Sequence, residues 1–361
     1  MSTAFPPPDP TGVPYHRLDR TTGRHRWWRP VVGGLLFFGA YLVLLVVLWV
    51  GSEVLGMVAG LPETSDGVDL GPLGSTAMDL VSIALALPLV LLVVLWPGRR
   101  AVGTVSSVTG RLRIGWLGWC LLAATPPILL LTVTAFFLPG SGDSDVWVGW
   151  RSFLVSLAVL ALLVPLQAAA EEYVFRGWLT QAVGAFVRSP WFAVLPQAVL
   201  FAAAHGWGTR WGFIGLTVSG IVSGLLTIRT GGLEAAIALH VMNNLLAFGV
   251  SAAVVDGLAS DETAADAPWQ LALAAMATDL LYAAIVLWLA RRRTPERLSP
   301  PVMPPHPPHP HAPYPYPPYS QSAYPPYSQS AYPPYPQSAY PPYPSYPQPP
   351  YPGASDPART A

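Results

Sequence analysis

The sequence predicts an all-α, polytopic membrane helical bundle of about eight transmembrane helices, with a disordered tail at each end. Two observations predict this fold class. Hydrophobic residues make up 52% of the 361-residue chain and charged residues only 11%, whereas a soluble domain carries about 25% charged residues. The apolar residues also lie in long runs of membrane-crossing length rather than being scattered along the chain.

The chain begins with a polar segment, residues 1–30, which we predict to be a disordered basic tail. It opens with a proline-rich stretch and continues with arginines at positions 17, 20, 24, 26 and 29. The first apolar run follows, from Val31 to about Val50. Because this run is longer than a signal-peptide core and no small-residue cleavage site ends it, we predict an uncleaved first transmembrane helix.

Seven further apolar runs follow, and each is predicted to be a membrane span. Since a helix needs about 20 residues to cross a bilayer, the short fifth run is expected to be tilted or half-buried. The runs cover residues 77–96, 116–138, 150–186, 191–204, 211–228, 233–250 and 269–290. The predicted organisation is therefore spans 1–3 in residues 31–149, a core of spans 4–7 in residues 150–250, and span 8 in residues 251–293.

The charges indicate the orientation of these spans. Arginines gather in the N-terminal tail, in the loop over residues 97–114 and in the stop Arg291-Arg292-Arg293, whereas the alternate loops are acidic. Because arginine-rich loops stay in the cytoplasm, we predict a multi-pass plasma-membrane protein with both termini cytoplasmic. All 19 basic residues are arginine, which indicates a bacterial source with a GC-rich genome.

The composition changes abruptly after Arg293. Residues 298–352 are dominated by Pro, Tyr, Ser and Gln, and an eight-residue motif that begins at Ala323 recurs twice. This proline density excludes helix and sheet, so residues 294–361 are predicted to be a disordered tail. A spacer is the favoured interpretation, and the Pro-Pro-Tyr triplets leave open a docking segment for a tail-binding protein.

Six polar residues recur near the ends or at helical spacing inside the runs of the 150–250 core. Placing an ionisable residue inside a membrane span costs free energy, so such a residue indicates a functional site. Counted from the turn at 188–190, Glu172 and His205 lie at similar depth in the membrane. Counted from the turn at 230–232, His240 and Asn244 lie on the same side but somewhat shallower, an offset that helix tilt could remove. The six candidates are Glu171, Glu172, Arg176, His205, His240 and Asn244.

This set of side chains suits hydrolysis of a peptide bond without a Ser or Cys nucleophile. A glutamate can act as general base on water with help from a histidine, and a second histidine with an asparagine can stabilise an oxyanion. The same inventory suits a catalytic zinc ion with an open water position, so the cofactor stays open, with zinc as the candidate. Glu172 and Arg176 are spaced for an i,i+4 ion pair, which would leave Glu171 freer to face the cavity, although spacing alone does not assign the two roles.

The patterns Glu171-Glu172-x-x-x-Arg176, Phe201-x-x-x-His205 and His240-x-x-x-Asn244 resemble the three motifs of the CPBP family. This family contains CAAX prenyl proteases and bacteriocin-processing enzymes, and is also called the Abi or type II CAAX protease family. The resemblance covers about residues 150–250. It implies an all-helical intramembrane endopeptidase that acts on membrane-associated proteins or leader peptides, by either a metalloprotease or a glutamate mechanism.

The resemblance also implies a role for each motif residue. Glu171 would activate water alongside His205, while His240 and Asn244 would stabilise the oxyanion and Glu172 with Arg176 would support the site. Two other functions stay open: a proton-coupled carrier, since buried Glu and His also form proton relays, and a non-catalytic scaffold that works through its tail. The absence of an internal repeat of the two halves argues against the carrier. The expected partners are the lipid bilayer and a protein or peptide substrate, with no nucleic acid.

Overall fold

The structure, a computed structural model, describes residues 12–64, 67–137, 146–260 and 262–301. Over these ranges the chain is a helical bundle with one small hairpin, in which Glu63–Thr64 pairs antiparallel with Gly67–Val68. The predicted all-α fold class is therefore confirmed. The start of the predicted basic tail, residues 1–11, and the Pro/Tyr repeats of residues 302–361 lie outside the described residues.

The helices follow one another in chain order with short connections. They are α1 (Trp28–Ala59), α2 (Gly71–Ala84), α3 (Ala86–Leu95), α4 (Gly103–Ser106), α5 (Ile114–Phe136), α6 (Trp150–Glu172), α7 (Thr180–Gly184), α8 (Pro190–Ala204), α9 (Arg210–Thr230), α10 (Glu234–Ser251) and α11 (Trp269–Arg293).

Six helical segments are long and apolar enough to cross a membrane. They are Trp28–Ala59, Gly71–Leu95, Ile114–Phe136, Trp150–Gly184, Arg210–Thr230 and Trp269–Arg293. The other two predicted spans are helices that fall outside this set, since α8 has only 15 residues and α10, of 18 residues, carries several polar side chains. The chain is thus a multi-pass helical bundle, and the two helices that do not qualify as spans, the short apolar α8 and the more polar α10, lie in the predicted catalytic core.

Helix α10 lies at the centre of this core. It packs against α5, α6 and α9, and its first residues, including Ala235, Ala236 and Ala238, are fully buried. Small side chains let neighbouring helix backbones approach closely in membranes. The hydroxyl of Tyr282 on α11 donates a 2.8 Å hydrogen bond to the carbonyl of Ala235. This packing fixes the position of the last two-thirds of α10, where His240 and Asn244 lie.

Helices α8 and α9 approach each other even more closely. A Cβ atom added to Gly220 would lie 2.7 Å from the Cα of Ala198, so only glycine fits there. The side chain of Gln197 donates a 2.9 Å hydrogen bond to the carbonyl of Gly220. The contact holds the end of α8, and with it Phe201 and His205, against the rest of the core.

A buried ion pair ties the start of α5 to the start of α10. The guanidinium of Arg113 donates from Nε to Glu234 Oε1 at 2.9 Å and from a terminal nitrogen to Oε2 at 2.7 Å. It also donates to the carbonyls of Thr230 and Glu296. The carboxylate of Glu234 is fully buried, so this two-point pairing compensates its charge.

Residues 15–20 are helical, contrary to the predicted disordered tail. Tyr15–Arg20 forms a 3-10 helix whose Tyr15 and Leu18 side chains are buried in the core. The Tyr15 hydroxyl donates to the carbonyl of Val105, and a Cβ atom at Gly184 would lie 2.0 Å from the carbonyl oxygen of His16. The prediction of disorder is wrong for residues 15–20 because the side chains of Tyr15 and Leu18 pack in a groove between α4 and α7.

The segment after α11 also contacts this N-terminal stretch. The backbone N–H of Ser299 donates to the carbonyl of Val13 at 2.9 Å, and the Ser299 hydroxyl accepts from the Val13 amide. The described part of the predicted C-terminal tail, residues 294–301, is therefore attached to the bundle at this point.

Candidate active site

A π-helix directly follows the two adjacent glutamates. Glu171 and Glu172 are the last residues of α6, and the chain continues through the π-helix Tyr173–Leu179 into α7. Such wide turns are rare and occur frequently at functional sites. The π-helix carries Arg176, which the sequence assigns to the same motif as the glutamates.

Glu172 lies at the centre of a buried charge cluster. Its Oε1 atom is 3.1 Å from a terminal nitrogen of Arg176 and 2.8 Å from Nδ1 of His240. The side chains of Glu172 and Arg176 are each only 1% exposed. The predicted i,i+4 ion pair is thus present, and it compensates two charges that burial would otherwise make very costly.

The hydrogen bond to Glu172 fixes the tautomer of His240. A carboxylate only accepts hydrogen bonds, so Nδ1 of His240 carries the proton. The other ring nitrogen, Nε2, lies 3.9 Å from Oε2 of Glu171, a distance too long for a direct hydrogen bond. His240 therefore has one nitrogen committed to Glu172 and one nitrogen facing Glu171.

Glu171 has one oxygen held and one oxygen free. Its Oε1 accepts a 2.5 Å hydrogen bond from the side-chain amide of Gln167. Its Oε2 is buried and, within the part of the chain that the structure describes, has no hydrogen-bond partner, and the same is true of Oε2 of Glu172. A buried carboxylate oxygen without a donor is unusual and is available to a water molecule or to a substrate proton.

Gln167 is a site residue that the sequence analysis missed. It is buried, and its amide oxygen accepts a 3.1 Å hydrogen bond from Nδ2 of Asn244 while its amide nitrogen donates to Glu171. One side chain on α6 thus connects the first motif to the third. The available signal was its spacing: Gln167 is a polar residue four positions before Glu171 in an otherwise apolar run.

His205 is connected to the cluster through the ring of Phe201. The Phe201 ring centroid is 4.6 Å from that of His205 and 5.9 Å from that of His240, and the Arg176 guanidinium lies 3.9 Å from the same centroid. Nδ1 of His205 is 2.9 Å from the carbonyl of Phe201. Since a carbonyl only accepts, Nδ1 carries the proton and Nε2 is the nitrogen able to take another.

The structure thus brings five of the six predicted residues into one network and leaves His205 one aromatic ring away. The five are Glu171, Glu172, Arg176, His240 and Asn244, with Asn244 joined through Gln167. Among the described residues, no three or more His, Cys, Asp or Glu side chains are grouped so that they could hold a metal ion. Glu172 is already engaged by Arg176 and His240, so the donors as arranged do not fit a zinc site.

Comparison with known proteins agrees with the location of this cluster. Residues 150–246 match the family described as type II CAAX prenyl endopeptidase Rce1-like. The chain is also 27% identical over 289 residues to the uncharacterized protein YyaK of Bacillus subtilis (strain 168), a match that covers 73% of this chain and 96% of YyaK. No solved structure matches the chain. The resemblance to the CPBP family seen in the three motifs is thereby confirmed.

Proposed function

We propose that this chain, a multi-pass protein related at the family level to CAAX-type intramembrane proteases, hydrolyses peptide bonds with a water molecule activated by Glu171. The proposed substrates are membrane-associated proteins or leader peptides that reach the cluster from the bilayer. The proposed reaction needs no Ser or Cys nucleophile.

One observation carries the assignment of Glu171 as the base. Oε2 of each glutamate lacks a hydrogen-bond donor among the described residues, but Oε1 of Glu172 is engaged by both Arg176 and His240. Glu171 faces Nε2 of His240 at 3.9 Å and is 12% exposed, against 1% for Glu172. A general base must have a free acceptor within reach of the proton that it abstracts. Both glutamates have a free acceptor oxygen, but Glu171 is the more accessible of the two and is not the partner of Arg176. We therefore assign Glu171 as the base and Glu172 as the residue that orients His240.

The proposed reaction begins when Glu171 Oε2 takes a proton from water and the water oxygen attacks the substrate carbonyl carbon. His205 orients or shares the proton of that water through Nε2. The carbonyl oxygen becomes an oxyanion, which the second amide hydrogen of Asn244 and, when its ring is doubly protonated, Nε2–H of His240 can stabilise. Glu171 then returns the proton to the leaving amine as the carbon–nitrogen bond breaks.

No step in this proposal passes through a metal ion. Oxyanion stabilisation by preorganised donors is worth about 10²–10³-fold in rate for each donor, so the described side chains can supply the reaction chemistry. A metalloprotease mechanism would require His205 and Glu171 to move into a common coordination shell. The chelator arm of the experiment below tests that alternative directly.

We further propose a bacterial plasma-membrane location with both termini in the cytoplasm, from the arginine-rich loops. Prenylated CAAX proteins are not expected in such a source, so the family description does not identify the substrate. The Pro/Tyr-rich residues 302–361 are proposed to be a spacer or a docking segment, outside the catalytic core.

The experiment is cleavage of a candidate membrane-anchored peptide by the purified full-length chain in detergent, with and without chelator. We expect cleavage by the native chain, loss of about 10²–10⁴-fold in Glu171→Gln and His205→Ala, and retention after deletion of residues 302–361. Substrate-dependent proton flux in vesicles without cleavage would favour the carrier, and loss of function only on tail deletion would favour the scaffold. Inactivation by chelator with recovery on adding zinc would overturn the metal-free mechanism.

A further inference from the structure

A second site lies at the arginine-rich end of the bundle, away from the proposed active site. A cavity of about 590 Å³ opens there between the start of α5 and the segment that follows α11. Residues 111–116, 119 and 293–296 form its wall. None of the proposed catalytic residues lines it, and it contains no residue of the three motifs of the core.

The wall of this cavity carries an excess of positive charge. Arg111, Arg113 and Arg293 line it together with a single carboxylate, Glu296. Arg113 is already neutralised by Glu234. Arg111 and Arg293 are exposed, and no carboxylate of the described residues forms a salt bridge with either. The guanidinium of Arg293 lies 3.8 Å from the ring centroid of Trp119, which holds this cation at the edge of the cavity.

The same wall offers hydrogen-bond donors that have no acceptor. Helix α5 starts at Ile114, and the amide of Leu117 donates to the carbonyl of Arg113 at 2.9 Å. The amides of the three residues before Leu117 therefore precede the hydrogen-bonded ladder of the helix, at its positive end. Trp116 is only 7% exposed, and its indole N–H is buried with no hydrogen-bond partner among the described residues. A buried donor without an acceptor destabilises the protein, so a ligand that accepts a hydrogen bond from this N–H would gain binding free energy.

We propose that this cavity binds the phosphate of an anionic phospholipid from the leaflet on the arginine-rich side of the membrane. The oxygens of a phosphate group can accept hydrogen bonds from three kinds of donor here. These are the guanidinium groups of Arg111 and Arg293, the first backbone amides of α5 and the indole N–H of Trp116. Basic pockets between transmembrane helices at this level bind anionic lipid headgroups.

The surroundings of the cavity favour a lipid over a soluble phosphate. Ile114 and Leu122 on α5 and Trp288 on α11 are all more than half exposed, at 68%, 65% and 56%. They form an apolar surface that continues from the cavity along the two helices. A phospholipid can place its phosphate in the cavity and its acyl chains along this surface, with the tryptophans at headgroup level. The binding site is independent of the proposed proteolysis.

The test is native mass spectrometry of the purified full-length chain in a neutral detergent, titrated with phosphatidylglycerol or with phosphatidylcholine of the same acyl chains. We expect retention of phosphatidylglycerol in preference to phosphatidylcholine. The double variant Arg111→Gln with Arg293→Gln should bind phosphatidylglycerol about 25-fold more weakly, roughly fivefold for each arginine. Trp116→Phe, which keeps the ring and removes the N–H, should weaken binding about tenfold.

Arg229→Gln is the matched control, because Arg229 is an exposed arginine on the same arginine-rich side and does not line the cavity. It should bind phosphatidylglycerol as the native chain does, and a thermal melt in phosphatidylcholine micelles should be the same for all variants. Equal weakening by Arg229→Gln, or no weakening by the double variant, would refute the site. Competition by inorganic phosphate at comparable concentration would instead identify a soluble anion site and would overturn the lipid proposal.

Discussion

The imidazole of His240 donates a 2.8 Å hydrogen bond from Nδ1 to Oε1 of Glu172. This bond joins α10 to the end of α6, and the same oxygen lies 3.1 Å from the Arg176 guanidinium. Glu172 thus sets both the orientation of the histidine ring and the charge balance of the cluster. Oε2 of both glutamates lacks a hydrogen-bond partner among the described residues, but Glu172 is the one of the two that is paired with an arginine. This difference supports the proposed division into an orienting residue, Glu172, and a base, Glu171.

Replacing Glu172 should destabilise the core as well as stop cleavage. Glu172→Gln removes the negative charge that pairs with the buried Arg176, and breaking such a pair typically costs about 3–5 kcal/mol. The glutamine amide can donate as well as accept a hydrogen bond, so the proton of His240 is no longer fixed on Nδ1. We expect a lower melting temperature and loss of activity, measured by a thermal melt and by peptide cleavage. The double variant Glu172→Gln with Arg176→Gln should be clearly less destabilised than the sum of the two single variants. Additive effects would show that the two charges are not coupled.

Gln167 should act as a positioning residue for Glu171 and Asn244. Gln167→Met conserves the shape of the side chain but removes both hydrogen bonds. Because small misplacements of reacting groups can cost up to about 10²-fold in rate, we expect kcat to fall about 10- to 100-fold with KM nearly unchanged, measured by steady-state cleavage.

The neighbouring variant Leu166→Met is the control for that prediction, since Leu166 is an exposed apolar residue on the same helix. It should keep the native kcat. If Gln167→Met lowered the melting temperature but left kcat of the folded protein unchanged, Gln167 would have a structural role alone.

The parts of the site that follow from local spacing could be predicted from the sequence. The i,i+4 ion pair of Glu172 with Arg176 needs only helical periodicity, and the polar residues of the third motif stand out because they interrupt an apolar run. The long apolar helices were predictable for the same reason, although α1 extends to Ala59, beyond the predicted end near Val50.

The parts that depend on distant pairing or on a change of helix type could not be predicted. Gln167 carries no charge, and its partner Asn244 is 77 positions away. The Arg113–Glu234 pair spans 121 positions. The π-helix has no sequence period of its own, and the ring of Phe201 between His205 and His240 follows from how α8 packs on α9. The burial of Tyr15 depends on a groove that exists only in the folded bundle.

The two histidines of the site should respond differently to removal. His205 is only partly buried, and its ring makes one local hydrogen bond, so His205→Ala should leave the melting temperature nearly unchanged. His240 holds Glu172 at the centre of the cluster, so His240→Ala should lower it. Both variants should lose activity by at least about 10²-fold, measured by cleavage beside the thermal melts. Equal destabilisation by the two variants would contradict the arrangement.

The N-terminal 3-10 helix Tyr15–Arg20 should detach in acid because of His16. The Nε2–H of His16 donates to the carbonyl of Arg188 at 3.1 Å, and its Nδ1 is buried without a partner. Burial lowers the pKa of His16 below its usual value, and the nearby Arg17 adds to the effect. The detached segment therefore binds a proton more readily than the attached one. Attachment is fully favoured above about pH 6.5, the usual value, and weakens as the pH falls through the lowered pKa of the attached state.

Hydrogen–deuterium exchange of residues 12–20, corrected for the intrinsic pH dependence of exchange, measures that detachment. We expect protection at pH 7.5 and a loss of protection towards pH 5. His16→Gln stays neutral at every pH and can still donate from its amide, so protection should become independent of pH over this range. His25→Gln is the control, because His25 lies outside this segment and pairs with Asp19 rather than with Arg188. If the acid transition vanished in His25→Gln and persisted in His16→Gln, the pair His25–Asp19 rather than the burial of His16 would control attachment.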